Sequence, residues 1–136
     1  MIRNLLNNHL RNVDLGLLAL RFAGAGFMLT HGWGKFLKVI DGDFTFGDPI
    51  GLGPTLSLIL TAFAEFICSI LILVGFKGRI ASIFVMFTML VAAFIRHADD
   101  PWRKKEFPLL YFFIFLAIFL MGTGKYGVDG RHTPDE

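Results

Sequence analysis

Four long apolar stretches constrain the fold of this chain more than any other feature of its sequence. They are Leu15–Thr30, which extends towards Ile40, Leu56–Phe76, Ile80–Ile95 and Phe107–Met121. A helix needs about 20 apolar residues to cross a hydrocarbon core about 30 Å thick. With 136 residues, 54% of them hydrophobic, and a mean hydropathy of +0.62, the chain is too apolar for a soluble domain of this length. We therefore predict an all-α, polytopic membrane protein that folds as a bundle of four transmembrane helices.

The segments between these stretches are rich in residues that end helices. They are Asp41–Gly53 (DGDFTFGDPIGLG), Gly75–Arg79 (GFKGR) and His97–Glu106 (HADDPWRKKE). Glycine, proline and aspartate at this density are typical of turns and loops. We expect a single domain over residues 1–136, with helices at about 14–38, 55–76, 79–97 and 107–122 and a short polar tail at 123–136.

The first of these loops carries several apolar side chains, which are Phe44, Phe46, Pro49 and Ile50. Apolar side chains at this density are unfavourable in a loop that is fully exposed to water. The loop is therefore expected to fold over one mouth of the bundle.

Charge and cysteine content exclude several classes of function. The net charge is only +2, and no basic stripe with exposed aromatic residues indicates a nucleic-acid partner. Cys68 is the sole cysteine, so one chain has no internal disulfide, no Cys-x-x-Cys pair and no cysteine-rich metal site. We expect no metal site. Four spans would place both termini on the same side, but Lys and Arg are equally numerous on the two sides and do not indicate which one.

The first apolar stretch has two distinct faces when it is projected as a regular helix. At 100° per residue, Asp14, Arg21, His31 and Lys35 fall within one sector. A charged group facing lipid costs about 3 kcal/mol on insertion scales, so this sector is expected to face the bundle interior. Gly26, Thr30 and Gly34 lie on the opposite face, and small residues at this spacing predict close packing against a neighbouring helix.

Glu65 is the most informative polar residue because it lies near the middle of the second stretch. Ser57, Thr61, Cys68 and Ser69 share its side of the helix. A carboxylate at that depth needs a partner. We expect it to lie within hydrogen-bonding or ion-pairing reach of at least one of Arg21, His31, Lys35, Arg96 and His97.

Simpler interpretations of the same residues remain open. Trp33 and Lys35 lie where the first span reaches the headgroups, so an aromatic belt and a snorkelling lysine account for them equally well. His31 is equally compatible with a helix-ending histidine bonded to a carbonyl. The aromatic run that begins at Tyr111 is also typical of packing.

Taken together, these residues resemble those of a known family of membrane proteins. The pattern is Arg21, His31-Gly-x-x-Lys35-Phe36, Glu65, Gly75-x-x-x-Arg79-x-Ala81, Glu106-x-Pro-Leu-Leu-Tyr111 and Gly122-x-Gly-Lys-Tyr-x-x-Asp129. Its order and spacing resemble the DoxX family over about Asp14 to Asp129. The resemblance implies a four-helix protein of the inner (plasma) membrane and a quinone-linked oxidoreductase role, since the family takes its name from a membrane subunit of a thiosulfate:quinone oxidoreductase. Related four-helix proteins are thought to act as membrane chaperones or cargo receptors.

Two sets of candidate site residues follow from the residues and the resemblance. The expected catalytic residues are Glu65, His31 and Arg21, and the expected cofactor-binding residues are Lys35, Trp33, Arg96, His97 and Tyr111. In this hypothesis His31 or Arg21 donates a hydrogen bond to a quinone head, Glu65 relays a proton, and the Phe-rich third and fourth helices line a groove for the tail. The alternatives are a non-catalytic scaffold for a soluble redox or sulfur-metabolising protein and a small-molecule or ion pathway. Assembly as a homo-oligomer is left open.

Overall fold

Four long helices account for most of the chain in the computed structural model, which describes residues 2–131 and, for Ile2, Arg3 and Leu5, the backbone only. Helix α1 covers residues 2–41 and contains a π-helical stretch at Phe22–Gly26. Helix α2 is Pro54–Val74 with a π-helical stretch at Phe63–Ile67, α3 is Gly78–Arg96 with a third such stretch at Ala92–Arg96, and α4 is Trp102–Met121. No strand occurs in residues 2–131, so the all-helical class is confirmed.

Three of the helices are long and apolar enough to cross a membrane: Leu6–Asp41, Pro54–Val74 and Gly78–Arg96. Helix α4 differs because its first five residues include Arg103, Lys104, Lys105 and Glu106. Its uncharged part, residues 107–121, spans about 22 Å at 1.5 Å per residue. The chain is thus a helical membrane protein in which three helices reach full membrane length.

Two helices begin earlier than the sequence predicts. Helix α1 starts at residue 2 instead of about 14, because no glycine or proline precedes Gly16. Helix α4 starts at Trp102 instead of about 107. Pro101 does not merely end the preceding segment; it is the N-cap residue of α4, a position at which its missing N–H breaks no helical hydrogen bond.

The small-residue face of α1 was expected to pack on a neighbouring helix, and this expectation is wrong within the chain. A Cβ placed at Gly26 or Gly34 would meet nothing within 4 Å, and Thr30 is exposed. The glycines that face the bundle are Gly24 and Gly32. Both of these glycines fall within the sector of Arg21 and Lys35 on a regular helix, so the projection oriented α1 correctly. The opposite face points away from the bundle, and small residues at this spacing do not by themselves bring a neighbouring helix to it.

Gly32 brings the backbones of α1 and α2 into direct contact. A Cβ at this position would lie 2.5 Å from the carbonyl carbon of Glu65, 2.6 Å from its oxygen and 2.7 Å from the nitrogen of Phe66. The core continues below this contact through Met28, Ile72 and Phe115, which are at most 1% exposed. Only a glycine at residue 32 permits this packing.

Arg21 joins three segments at the other end of the bundle. Its guanidinium donates from Nε to the carbonyl of Ile72 (2.9 Å), from one terminal nitrogen to Leu73 (2.5 Å) and from the other to Thr123 (3.0 Å). The last carbonyls of a helix lack partners within the helix. Arg21, which is 2% exposed, therefore caps the C-terminus of α2 and ties it to the segment after α4.

The segment after α4 was expected to be a polar tail, but its described part, residues 123–131, folds back onto the bundle. The amide of Asp129 donates to Gly75 O at 2.8 Å. Its carboxylate accepts hydrogen bonds from the amides of Lys77 (2.9 Å) and Gly78 (3.1 Å), at the N-terminus of α3. We call Arg21 and this returning segment the terminal clamp. Residues 132–136 lie outside the described residues.

Substitution of two nearby glycines tests the α1–α2 contact. Gly32→Ala forces a methyl group into the backbone of Glu65 and should lower the melting temperature in detergent. Gly34→Ala, the matched control, should leave it unchanged or raise it, since alanine is favoured over glycine in a helix by up to about 1 kcal/mol. Equal melting temperatures for the two variants would contradict the packing described.

Replacing Arg21 tests the terminal clamp. Arg21→Met leaves three carbonyls without this donor, and each buried unsatisfied group costs about 1–3 kcal/mol, so the melting temperature should fall markedly. Arg11→Met removes an exposed cation from the same helix as a control. If both variants melt alike, Arg21 does not hold the three segments together.

Candidate functional site

A polar cavity of about 290 Å³ lies among all four helices, at the end of the bundle away from the terminal clamp. Five of the eight predicted site residues line it: His31, Lys35, Glu65, His97 and Tyr111. Apolar side chains, among them Met28, Met89 and Phe107, form much of the remaining wall. We call this space the central cavity.

An ion pair between Lys35 and Glu65 forms the polar centre of this cavity. Lys35 Nζ lies 2.5 Å from Glu65 Oε2 and also donates to the carbonyl of His31 at 3.2 Å. The Glu65 side chain is 8% exposed and that of Lys35 is 26% exposed. The expectation that Glu65 pairs with one of five named cations is thus confirmed, and Lys35 is that cation.

Local backbone geometry places Glu65 at the centre of the bundle. The residue belongs to the π-helical stretch Phe63–Ile67, and such stretches occur frequently at functional sites. It lies 11 residues after Pro54 and nine before Val74, or about 16 Å and 13 Å from the two ends of α2. Contact with Gly32 places this stretch directly against α1, where Lys35 follows one turn later.

His97 and Asp100 form a second polar group at the rim of the cavity. His97 Nδ1 lies 2.7 Å from Asp100 Oδ2, and Lys104 Nζ lies 3.1 Å from Asp100 Oδ1. Hydrogen bonds from His97 and then Lys104 hold the pKa of Asp100 below its ordinary value. When Nδ1 carries the proton that binds Asp100, Nε2 of His97 is left as a proton acceptor.

His31 and Tyr111 approach each other across the central cavity. Their rings meet edge to face, with centroids 5.9 Å apart. Both side chains carry polar groups that can donate a hydrogen bond to a ligand. The cavity thus offers an ammonium, a carboxylate, two imidazoles and a phenol within one space.

Arg96 borders a second cavity of about 400 Å³ that shares Lys35, Glu65, Ala92 and His97 with the first. Phe46, Gly47 and Pro49 of the loop after α1 form part of its wall. The loop is held by hydrogen bonds from Ser57 Oγ to Asp48 Oδ1 (3.1 Å) and from Lys38 Nζ to Thr45 O (3.0 Å). The prediction that this loop covers one mouth of the bundle is confirmed.

An apolar groove of about 310 Å³ adjoins the second cavity. It shares Pro49, Thr61, Thr88 and Val91 with that cavity. Its other walls include Ile50, Leu60, Phe63, Phe84 and Phe87. The groove expected from the sequence lay between the third and fourth helices, whereas this groove lies between α2, α3 and the covering loop.

Two predicted site residues lie away from both of these cavities. Arg21 belongs to the terminal clamp, 14 residues or about 21 Å along α1 from Lys35. Trp33 is 51% exposed and packs against Phe66 and Phe36, with ring centroids 5.6 Å and 6.2 Å away. Its position fits the alternative of an aromatic residue at the headgroup layer.

Sequence reasoning missed Asp100 and Lys104 as contributors to the site. The signal was present in the spacing, because Asp100 and Lys104 follow His97 by three and seven residues. Residues three or four apart become neighbours on a helical turn. Lys104 reaches Asp100 because α4 already starts at Trp102. Within residues 2–131, no three His, Cys, Asp or Glu side chains assemble as a metal site would require.

Comparison with known families covers most of this site. The family model for DoxX matches residues 16–98, a segment that includes His31, Lys35, Glu65, Arg96 and His97. Tyr111 and the returning segment lie beyond the matched residues. Comparison with curated proteins and with solved structures finds no match. Because the match covers more than half of the chain and includes the ion pair at the centre of the bundle, this protein belongs to the DoxX family of membrane proteins.

Proposed function

We propose that the central cavity binds the head of a membrane quinone and that the chain is the membrane subunit of a quinone-linked redox system. One observation carries the proposal: the Lys35–Glu65 ion pair lines two cavities, and an apolar groove with exposed aromatic walls adjoins the second. Quinones combine a hydrogen-bonding head with an apolar tail. A polar cavity joined to an apolar groove fits that combination.

The proposed topology is four spans in the inner membrane, with α4 as the fourth. Its Leu110, Phe113 and Leu120 are more than half exposed, as lipid-facing residues would be, while Phe115 and Ile118 are buried in the core. A short apolar stretch can span with help from flanking residues and local thinning of the bilayer.

The Lys125 amide donates to Asp14 Oδ1 at 2.9 Å, so the returning segment lies beside the first half of α1. This contact supports both termini on the same side.

Several groups in the cavity match the needs of a quinone head. The two carbonyl oxygens of a quinone need donors, which Lys35, His31 and Tyr111 can provide. His97 and Glu65 are the groups that can hold or pass on a proton. The apolar groove then receives the tail, with Phe63, Phe84 and Phe87 as its aromatic contacts.

Quinone chemistry requires electrons as well as protons. Reduction of a quinone to its hydroquinone consumes two electrons and two protons. In the proposed reaction His97 and Glu65 take up two protons from water and pass them to the two oxygens, while a soluble redox or sulfur-metabolising partner is oxidised and supplies both electrons. Arg21 has no part in this step, because it lies about 21 Å along α1 from Lys35 and binds backbone carbonyls in the terminal clamp.

A second candidate is a non-catalytic scaffold that holds such a partner at the membrane. The observation that favours it is the cysteine content: Cys68 is 1% exposed and has no second cysteine in the chain, so thiol–disulfide exchange within one chain is excluded. The scaffold and the quinone proposals differ in one measurable property, which is quinone affinity.

Direct binding of a short-tail ubiquinone analogue to the purified protein tests the proposal. Lys35→Met removes a charged donor, and because hydrogen bonds to charged groups contribute about 1.5–3 kcal/mol, affinity should fall by roughly 10- to 100-fold. Glu65→Gln keeps the shape of the side chain and should bind while losing proton-coupled turnover with the partner. Lys38→Met, whose lysine contacts the loop outside both cavities, is the matched control for Lys35.

Two outcomes would contradict the proposal. Wild-type protein that binds no quinone in nanodiscs would favour the scaffold. Equal quinone affinity for Lys35→Met and Lys38→Met would show that quinone binds elsewhere.

A further inference from the structure

A third polar cavity lies at the end of the bundle that holds the terminal clamp, away from the proposed quinone site. Its volume is about 710 Å³. Three cationic residues line it, Lys77 and Arg79 from the start of α3 and Lys125 from the returning segment. Two carboxylates, Asp14 and Asp129, also border it.

The two carboxylates are already engaged by backbone amides. Asp129 accepts hydrogen bonds from Lys77 N and Gly78 N, and Asp14 accepts one from Lys125 N. Asp129 also interacts with the charge of buried Arg21. Both acids therefore stabilise the clamp.

The cationic groups have no such partners. Within the part of the chain that the structure describes, none of the three side chains forms an ion pair with a carboxylate. Lys77 Nζ lies 6.0 Å from the Phe76 ring. Among the residues that line this cavity, three positive charges accompany two negative ones. The cavity therefore carries a net positive charge, which favours an anionic ligand.

The guanidinium of Arg79 lies over the backbone of Gly122 at this site. A Cβ on Gly122 would lie 3.4 Å from Arg79 Nε and 3.5 Å from one of its terminal nitrogens. Gly122 has a φ of +85°, a conformation that favours glycine, and its bare backbone leaves room for the guanidinium. The planar fork of an arginine suits a two-oxygen contact with an oxyanion.

Apolar residues border the same cavity. Ile80 and Met121 line it and are 55% and 52% exposed, on two helices whose outer faces are apolar. Cations beside exposed apolar side chains at the end of membrane helices lie where lipid phosphates lie. We propose that this cavity binds a phosphate group, carried by an anionic phospholipid or present as free phosphate, through Arg79, Lys77 and Lys125.

Thermal stability of the full-length protein in neutral detergent tests the proposal. Phosphatidylglycerol, phosphatidylcholine and inorganic phosphate are titrated separately, and the melting temperature is followed. Phosphatidylglycerol should raise it well above the effect of phosphatidylcholine. An equal rise with inorganic phosphate alone identifies a free-anion site, whereas no rise with it identifies the lipid as the source.

Charge-matched variants complete the test. Arg79→Gln combined with Lys125→Gln should weaken phosphatidylglycerol binding by roughly fivefold per cation, from about 1 kcal/mol each. Arg11→Gln combined with Arg103→Gln removes two exposed cations elsewhere and should have little effect. Lys125→Gln alone keeps the backbone amide that binds Asp14, so it tests the site even if the double variant folds poorly. Equal affinity for all variants, or equal stabilisation by the two lipids, would overturn the proposal.

Discussion

The ion pair between Lys35 and Glu65 is the interaction on which the arrangement of this bundle depends. A carboxylate in the middle of an apolar helix is costly unless a cation and hydrogen bonds accompany it. Lys35 can reach it only because α1 and α2 touch through the backbone at Gly32, and because a π-helical stretch presents Glu65 at that contact. The pair also explains why polar cavities persist beside it, since charged groups favour water or a polar ligand over lipid.

One end of the bundle ties the helices together, and the other end carries the polar cavities. At one end, Arg21 and Asp129 cap the helix termini of α2 and α3 and leave little unpaired backbone. At the other end, the polar side chains line cavities, and a loop closes over them. Arg21 caps the C-terminus of α2 from inside the bundle. Its position within an apolar stretch of the sequence does not show whether its role is structural or catalytic.

Much of this arrangement could be predicted from the sequence, and each failure has its own physical cause. The depth of Glu65, its need for a cation and the covering loop all follow from hydrophobicity and charge. The small-residue face failed because it lies opposite the buried sector of α1, where a Cβ at Gly26 or Gly34 meets nothing within 4 Å, and residue spacing alone does not show whether a neighbouring helix is present. Arg21 and Lys35 were placed on one face, yet they serve opposite ends, because angular projection carries no information on depth. Asp100 and Lys104 were missed because they become neighbours of His97 only once α4 starts at Trp102.

A double-mutant cycle on Lys35 and Glu65 tests the central claim most directly, with melting temperature in detergent as the readout. Lys35→Met and Glu65→Leu each leave one charge without its partner, whereas the double variant leaves neither. The account predicts that the double variant melts above the less stable single variant, with a coupling of at least about 1.5 kcal/mol for a partly buried pair. Additive effects of the two substitutions would contradict it, because the two side chains would then contribute to stability independently.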